Sequence, residues 1–227
     1  MALTLEQVKA KSAKRMLGLH PVVLAAATAL IERCYVRGVP IVITQGLRTI
    51  AEQDALYAQG RTKPGSVVTN AKGGTSYHNY GLAIDFALLL PDGKQVSWDI
   101  NRDGDKDGVK DWTEVVQEAK ALGFEWGGDF VSIKDAPHFQ IPFGLKISQL
   151  RAGQRPTETA MAKAQAKIDK YMEADEAMTA QEKKDFEAMQ MLIKAQAEVT
   201  LALSNRITEL ETAAKLPEIP KWALPGL

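Results

Sequence analysis

Apolar positions along this chain fall into short, separated runs. Residues 5–18 mix apolar and basic positions and predict a short helix. Val22 to Arg37 is strongly apolar, follows His20-Pro21 and is closed by Gly38, which predicts a buried helix. Pro40-Ile-Val-Ile-Thr-Gln45 is brief and β-branched and predicts a strand. Thr49 to Gln59 predicts a helix, with Thr49 as N-cap and Glu52 at capping-box spacing. Residues 60–76 are rich in Gly, Thr, Ser and Asn and predict loop. Leu82 to Leu90 predicts a buried strand ended by the turn Pro91-Asp92-Gly93. Trp112 to Leu122 predicts a helix with Gly123 just beyond it, and His138 to Ile141 a last short strand before Pro142.

After residue 150 the pattern changes. From Pro156 there is no glycine until Gly226, and Ala, Glu, Lys, Gln and Met dominate. Two helices are predicted, about 157–177 and about 180–214. The second opens with the capping box Thr179 and Glu182. It carries Phe186, Met189, Ile193, Gln196, Thr200, Leu203, Ile207 and Leu210 at heptad spacing, with Gln196 and Thr200 as polar breaks. Such a seam must be buried, and three arrangements satisfy it: an intrachain hairpin, a homo-oligomer, or a partner or cell-wall surface. The tail 216–227 is proline-rich and predicts irregular structure. The domains expected are thus 1–150 and a helical region 151–227.

Composition narrows the partners. The chain has 227 residues, 45% of them hydrophobic, with 28 basic and 28 acidic side chains. Zero formal charge argues against nucleic acid as the main partner. No apolar run approaches the ~20 residues of a membrane span, so no stable membrane insertion is expected. The start Met1-Ala-Leu-Thr-Leu-Glu-Gln lacks a signal-peptide pattern. The expectation is a protein of the cytosol that reaches any target outside only after release. Cys34, the one cysteine, lies among apolar helix positions and reads as a buried thiol.

The chain has three histidines, and two stand in segments with metal-binding character. Along the strand, Asp85 shares a face with Ala83 and Ala87, while Ile84, Phe86 and Leu88 face the core. His138 and Gln140 share a face opposite Phe139 and Ile141. Neighbouring strands can bring Asp85 and His138 to one point, and His78 can reach it from the preceding loop. Three protein ligands leave a fourth zinc position open, the catalytic arrangement. Spacing alone favours the other reading, three separate structural residues. Asp135, joined to His138 through Pro137, is placed to accept a proton from an activated water. His20, at a helix entry, reads as structural.

Ser76-x-His78-x-x-Gly81-x-Ala83-x-Asp85 followed by Asp135-x-Pro137-His138-Phe139 resembles the zinc-dependent L-alanyl-D-glutamate peptidases of bacteriophage endolysins. Their relatives include D-alanyl-D-alanine carboxypeptidases. The resemblance extends over residues 5–145 and takes in Thr44-Gln-Gly-Leu-Arg48-Thr-Ile-Ala-Glu-Gln53, Leu56–Arg61 and Gly123–Asp129. It implies an α+β fold, a small antiparallel sheet flanked by helices. It implies zinc on His78, Asp85 and His138, Asp135 as general base, and Arg48 steadying the scissile carbonyl oxygen; a surface ion pair is the other reading of Arg48. Ser76 and Gln53 are candidates for substrate binding, for holding the site residues in place, or for loop capping. The implied substrate is bacterial peptidoglycan. Two alternatives stay open: a D-alanyl-D-alanine carboxypeptidase, and a non-catalytic zinc-containing wall-binding module.

A second metal motif lies between the zinc ligands. Asp103, Asp105, Asp107, Asp111 and Glu114 occupy positions 1, 3, 5, 9 and 12 of a calcium loop, with Gly108 at 6 and the Val109 carbonyl at 7. A helix follows, as the motif requires, but Lys110 at position 8 is atypical and no entering helix is predicted. Five close carboxylates repel one another without a cation. A solvated acidic turn is the other reading. Among proteins of the resembled type, calcium-regulated lysins would be the precedent for a regulatory role.

Overall fold

The computed structural model describes residues 3–131 and 134–174, and beyond them only residues 184, 199, 202, 203 and 206. The chain divides into two units, Met1–Glu173 and Ala174–Leu227. Of the expected heptad helix only these five residues are described, each helical; its oligomer or wall contact and the proline-rich tail lie outside the described residues.

The first unit is an α+β fold. Helices α1 (Leu5–Ala13), α2 (Pro21–Val36) and α3 (Ile50–Ala58) alternate with strand β1 (Ile41–Gln45). Strands β2 (Ala83–Leu89) and β3 (Val96–Ser97) precede helix α4 (Asp111–Ala121), and β4 (Glu125–Trp126), β5 (His138–Gln140) and α5 (Ile147–Arg151) follow. The sheet runs β1-β2-β5-β4, with β3 on β2, and every pairing is antiparallel. Thr49 closes the expected capping box with Glu52 at the start of α3. Pro21 opens α2, and His20 caps it, its Nδ1 accepting from the Val22 amide at 3.3 Å. The two-residue strands β3 and β4 are too short to leave an alternation in the sequence.

Helix α2 is buried along its length because its apolar residues leave little polar face: Val23, Ala26, Ala27 and Leu30 are wholly inside. It packs against α4 and the sheet, where Phe86 stacks on Phe139 at 5.0 Å and touches Trp112 at 4.5 Å. These aromatic contacts lock β2 and β5 together on the core face and leave Asp85 and His138 on the other. Cys34 is buried, and burial pushes its thiol pKa well up, as expected for an inert structural thiol.

The compact unit extends beyond the boundary expected at residue 150. A helix over 158–174 buries Ile168, Tyr171 donates to Glu118 at 2.8 Å, and Lys167 donates to the Lys120 carbonyl at 3.1 Å. Glu118 also pairs with Arg33 at 3.0 Å and with Arg37. The change in composition at 150 marks a change of architecture, whereas packing on α4 keeps the first C-terminal helix with the sheet.

Candidate active site

Pairing of β2 with β5 sets Asp85 directly opposite His138. A 3-10 turn, Tyr77–Tyr80, carries His78 to the same point. Ser76 caps this turn, its hydroxyl accepting from the His78 amide at 3.3 Å, and Asn79 reaches back to the Ser76 amide. Gly81 ends the turn at φ 67°, a left-handed conformation. A Cβ there would also come within 2.7 Å of the Gly18 carbonyl oxygen.

The three candidate ligand atoms form a nearly regular triangle. His78 Nε2 lies 3.2 Å from Asp85 Oδ1 and 3.1 Å from His138 Nδ1, and His138 Nδ1 lies 3.3 Å from Asp85 Oδ1. Zinc bonds of ~2.0–2.1 Å to N and O in a tetrahedron give ligand–ligand edges of about 3.3–3.4 Å. The triangle therefore has the size of one face of such a tetrahedron. Its chemistry fits as well. His78 Nδ1 lies 2.8 Å from the Gly46 carbonyl, which can only accept, so its proton sits there and Nε2 presents a lone pair. Converging lone pairs and a carboxylate require a cation or a shared proton. Burial raises the Asp85 pKa, but the two imidazoles beside it outweigh burial and hold it well below the usual carboxylate range.

Asp135 lines the same groove as this triangle. Its loop is pinned to β4: its amide donates to the Gly127 carbonyl at 3.0 Å, and the Trp126 indole donates to the Ala136 carbonyl at 2.7 Å. Gly127 is required there, since a Cβ would lie 2.3 Å from the Asp135 carbonyl oxygen. This contact accounts for the Trp126-Gly127 portion of the 123–129 segment. The Asp135 pKa is raised, by burial first and then by the charge of Asp85, against the opposing pull of His138, His78 and Arg48.

Arg48 faces the triangle and is not a surface residue. Its side chain is 13% exposed, with Nη2 3.6 Å from Asp85 Oδ2. Its buried Nε–H has no hydrogen-bond partner among the described residues. Burial favours the supporting role of Gln53 over contact with substrate. Gln53 is 0% exposed and lies outside the groove. It accepts from Arg48 Nη1 at 2.9 Å and donates to the Ala71 carbonyl at 2.8 Å, so it holds the guanidinium and cannot touch substrate. Sequence reasoning had no signal for this, because a buried and an exposed glutamine on α3 look alike. Ser76 does line the groove, alongside its capping role. The groove measures about 760 Å³ and has Val67, Val68 and Trp98, all exposed, on its walls.

The second motif also gathers. Ligand oxygens of Asp103, Asp105 and Asp111, and of Asp105, Asp107 and Glu114, lie within 4.8 Å of one another. Asp103 accepts from the Lys106 and Gly108 amides at 2.8 and 3.1 Å, folding the loop around itself. No helix enters it; β3 is the nearest preceding element, as the sequence indicated. Glu114 is 4% exposed, and its Oε2 has no hydrogen-bond partner among the described residues. The pKa values of Glu114 and Asp111 are raised, mainly by burial.

A family model described as D-alanyl-D-alanine carboxypeptidase matches residues 69–141, which hold all three triangle residues and Asp135. The peptidoglycan L-alanyl-D-glutamate endopeptidase CwlK of Bacillus subtilis (strain 168) is 55% identical over 123 residues, covering 54% of this chain and 73% of that protein. An L-alanyl-D-glutamate peptidase of Listeria phage A118 is 35% identical over 119 residues, covering 52% of this chain and 36% of that protein. Among solved structures, the Serratia marcescens L-Ala D-Glu endopeptidase ChiX is 27% identical with a TM-score of 0.42, covering 59% of this chain and 88% of that one. On the strength of the Bacillus relative, the chain belongs to the L-alanyl-D-glutamate peptidase family.

Proposed function

We propose that this protein is a zinc peptidase that hydrolyses the L-alanyl-D-glutamate bond of peptidoglycan stem peptides. One observation carries the reading: a triangle of ligand atoms with tetrahedral edge lengths shares a single groove with Asp135 and Arg48. His78, Asp85 and His138 would hold the zinc. When bound, the ion supplies Lewis acidity, which acidifies a water and polarises the scissile carbonyl.

Asp135 takes one proton from the attacking water. As oxygen adds to the alanyl carbonyl carbon, negative charge grows on the carbonyl oxygen. Arg48 offers it a positive charge from a position fixed by Gln53 and Asp85. The C–N bond then breaks, and Asp135 returns the proton to the departing amine of D-glutamate. A raised carboxylate pKa suits both halves of this exchange, because the group must accept a proton and release it again. The test is clearance of purified cell walls by the wild type and by Asp135→Ala, with zinc content measured on both. Loss of clearance with zinc retained is expected. Clearance by Asp135→Ala equal to the wild type removes Asp135 from the mechanism.

We also infer that the 103–114 loop binds calcium through Asp103, Asp105, Asp107, Asp111, Glu114 and the Val109 carbonyl. The partnerless, buried Glu114 oxygen beside two aspartates supports this over a solvated turn.

A further inference from the structure

Both imidazoles of the triangle need a proton on the nitrogen that faces away from it. For His78 the Gly46 carbonyl enforces this directly. For His138 the partner is an amide, Gln140, whose Oε1 lies 3.0 Å from His138 Nε2. An amide can present either its oxygen or its NH2 group, so by itself it does not choose the tautomer. The choice is made one residue further out. Gln140 Nε2 lies 2.9 Å from Glu125 Oε2. A carboxylate only accepts, so the NH2 of Gln140 must face Glu125 and its oxygen must face His138. Turning the amide around would place oxygen against oxygen at Glu125. With oxygen facing it, His138 Nε2 must carry the proton, and Nδ1 is left as a lone pair aimed at His78 and Asp85.

The sheet builds this chain of polarity. Glu125 pairs with Gln140 across β4 and β5, and His138 and Gln140 are alternate residues on one face of β5. Gln140 is 7% exposed and shielded from competing water, whereas Glu125 sits at the exposed end.

The geometry points to Glu125 and Gln140 as positioning residues that fix His138 in its metal-binding tautomer, a relay that rests on the zinc reading above. Glu125 does not line the groove; Gln140 does, and the role assigned to it acts through the His138 imidazole. Because the relay works by donor and acceptor polarity, it is distinguishable from packing. The experiment is a chelator-competition titration of zinc on the full chain, with folding checked by circular dichroism. Gln140→Leu preserves size and removes the acceptor, and should weaken zinc binding about 10- to 100-fold. Glu125→Lys, at an exposed position, puts a donor where only an acceptor stood, turns the amide around and should weaken zinc binding in the same direction. The exchanged pair Glu125→Gln with Gln140→Glu again offers His138 only an acceptor and should recover most of the affinity. Turnover per bound zinc, measured at saturating zinc, should change much less than the affinity.

Unchanged zinc affinity in either Gln140→Leu or Glu125→Lys overturns the relay. So does an exchanged pair that binds zinc no better than Gln140→Leu, since packing loss alone would then explain the defect. Failure of the wild type to bind zinc more tightly than His138→Ala would instead sink the zinc reading, and the relay with it.

Discussion

Glu114 makes the calcium loop testable through stability alone. Its carboxylate is buried, its Oε1 faces Arg37 at 3.4 Å, and its Oε2 has no hydrogen-bond partner among the described residues. A cation that binds only the folded loop stabilises it by about 2.7 kcal/mol when its concentration is ~100 times Kd. Each kcal/mol moves Tm by roughly 2–4 °C in a unit of this size. Saturating calcium should therefore raise Tm by about 5–11 °C. The assay is differential scanning calorimetry of the zinc-saturated chain across a calcium titration, with magnesium as control. Glu114→Gln should abolish most of the rise. Without calcium it should melt no lower than the wild type, since it removes a buried charge and still lets Arg37 donate to an amide oxygen. The sign of the pH dependence follows from burial. Asp111 and Glu114 have pKa values raised in the folded state, so folding favours their protonated forms. Stability from this source is full below the ordinary carboxylate range and is lost as pH rises through the raised values. Calcium competes with those protons, so its Tm increment should be large at neutral pH and shrink as pH falls through that window. A calcium increment that is absent, or is equal in Glu114→Gln, refutes the reasoning.

Three further outcomes are expected. Asp135→Asn should lower kcat by about 10²–10⁴ while zinc stoichiometry stays unchanged, as read by kinetics and metal analysis on one sample. Gln53→Leu leaves the Ala71 carbonyl and Arg48 Nη1 without their partner, which should cost about 2–4 kcal/mol in urea denaturation and lower kcat; full activity would show that Arg48 does not need to be held. Gly127→Ala should displace the Asp135 loop, costing about 1–3 kcal/mol with a disproportionate loss of activity, and wild-type turnover in this variant would count against a fixed Asp135.

The parts of the molecule legible in the sequence are those governed by local rules. Pro21 and Gly38 bound α2, Thr49 and Glu52 cap α3, and the alternation around Asp85 separates its face of β2 from the one that carries Ile84, Phe86 and Leu88, although Ala83 and Ala87 beside Asp85 are buried as well. The convergence of His78, Asp85 and His138 is legible through the family resemblance of the two segments; spacing alone leaves the three residues separable. What the sequence left hidden depends on pairing at a distance. The choice among the roles open to Gln53 is set by its contacts with Ala71 and Arg48, neither visible from the periodicity of α3. The partnership of Glu125 with Gln140 depends on the register of a two-residue strand. The attachment of helix 158–174 rests on Tyr171 and Lys167 meeting α4 across more than 40 positions of chain, and composition carries no trace of it.

The central claim is the bond that is cut. Purified peptidoglycan digested with zinc-loaded protein and analysed by mass spectrometry tests it most directly. Stem peptides that begin at D-glutamate are expected, with L-alanine left on the glycan strand, and no such products from Asp135→Ala. Release of terminal D-alanine alone, with the L-alanyl-D-glutamate bond intact, would contradict that claim and identify a carboxypeptidase instead.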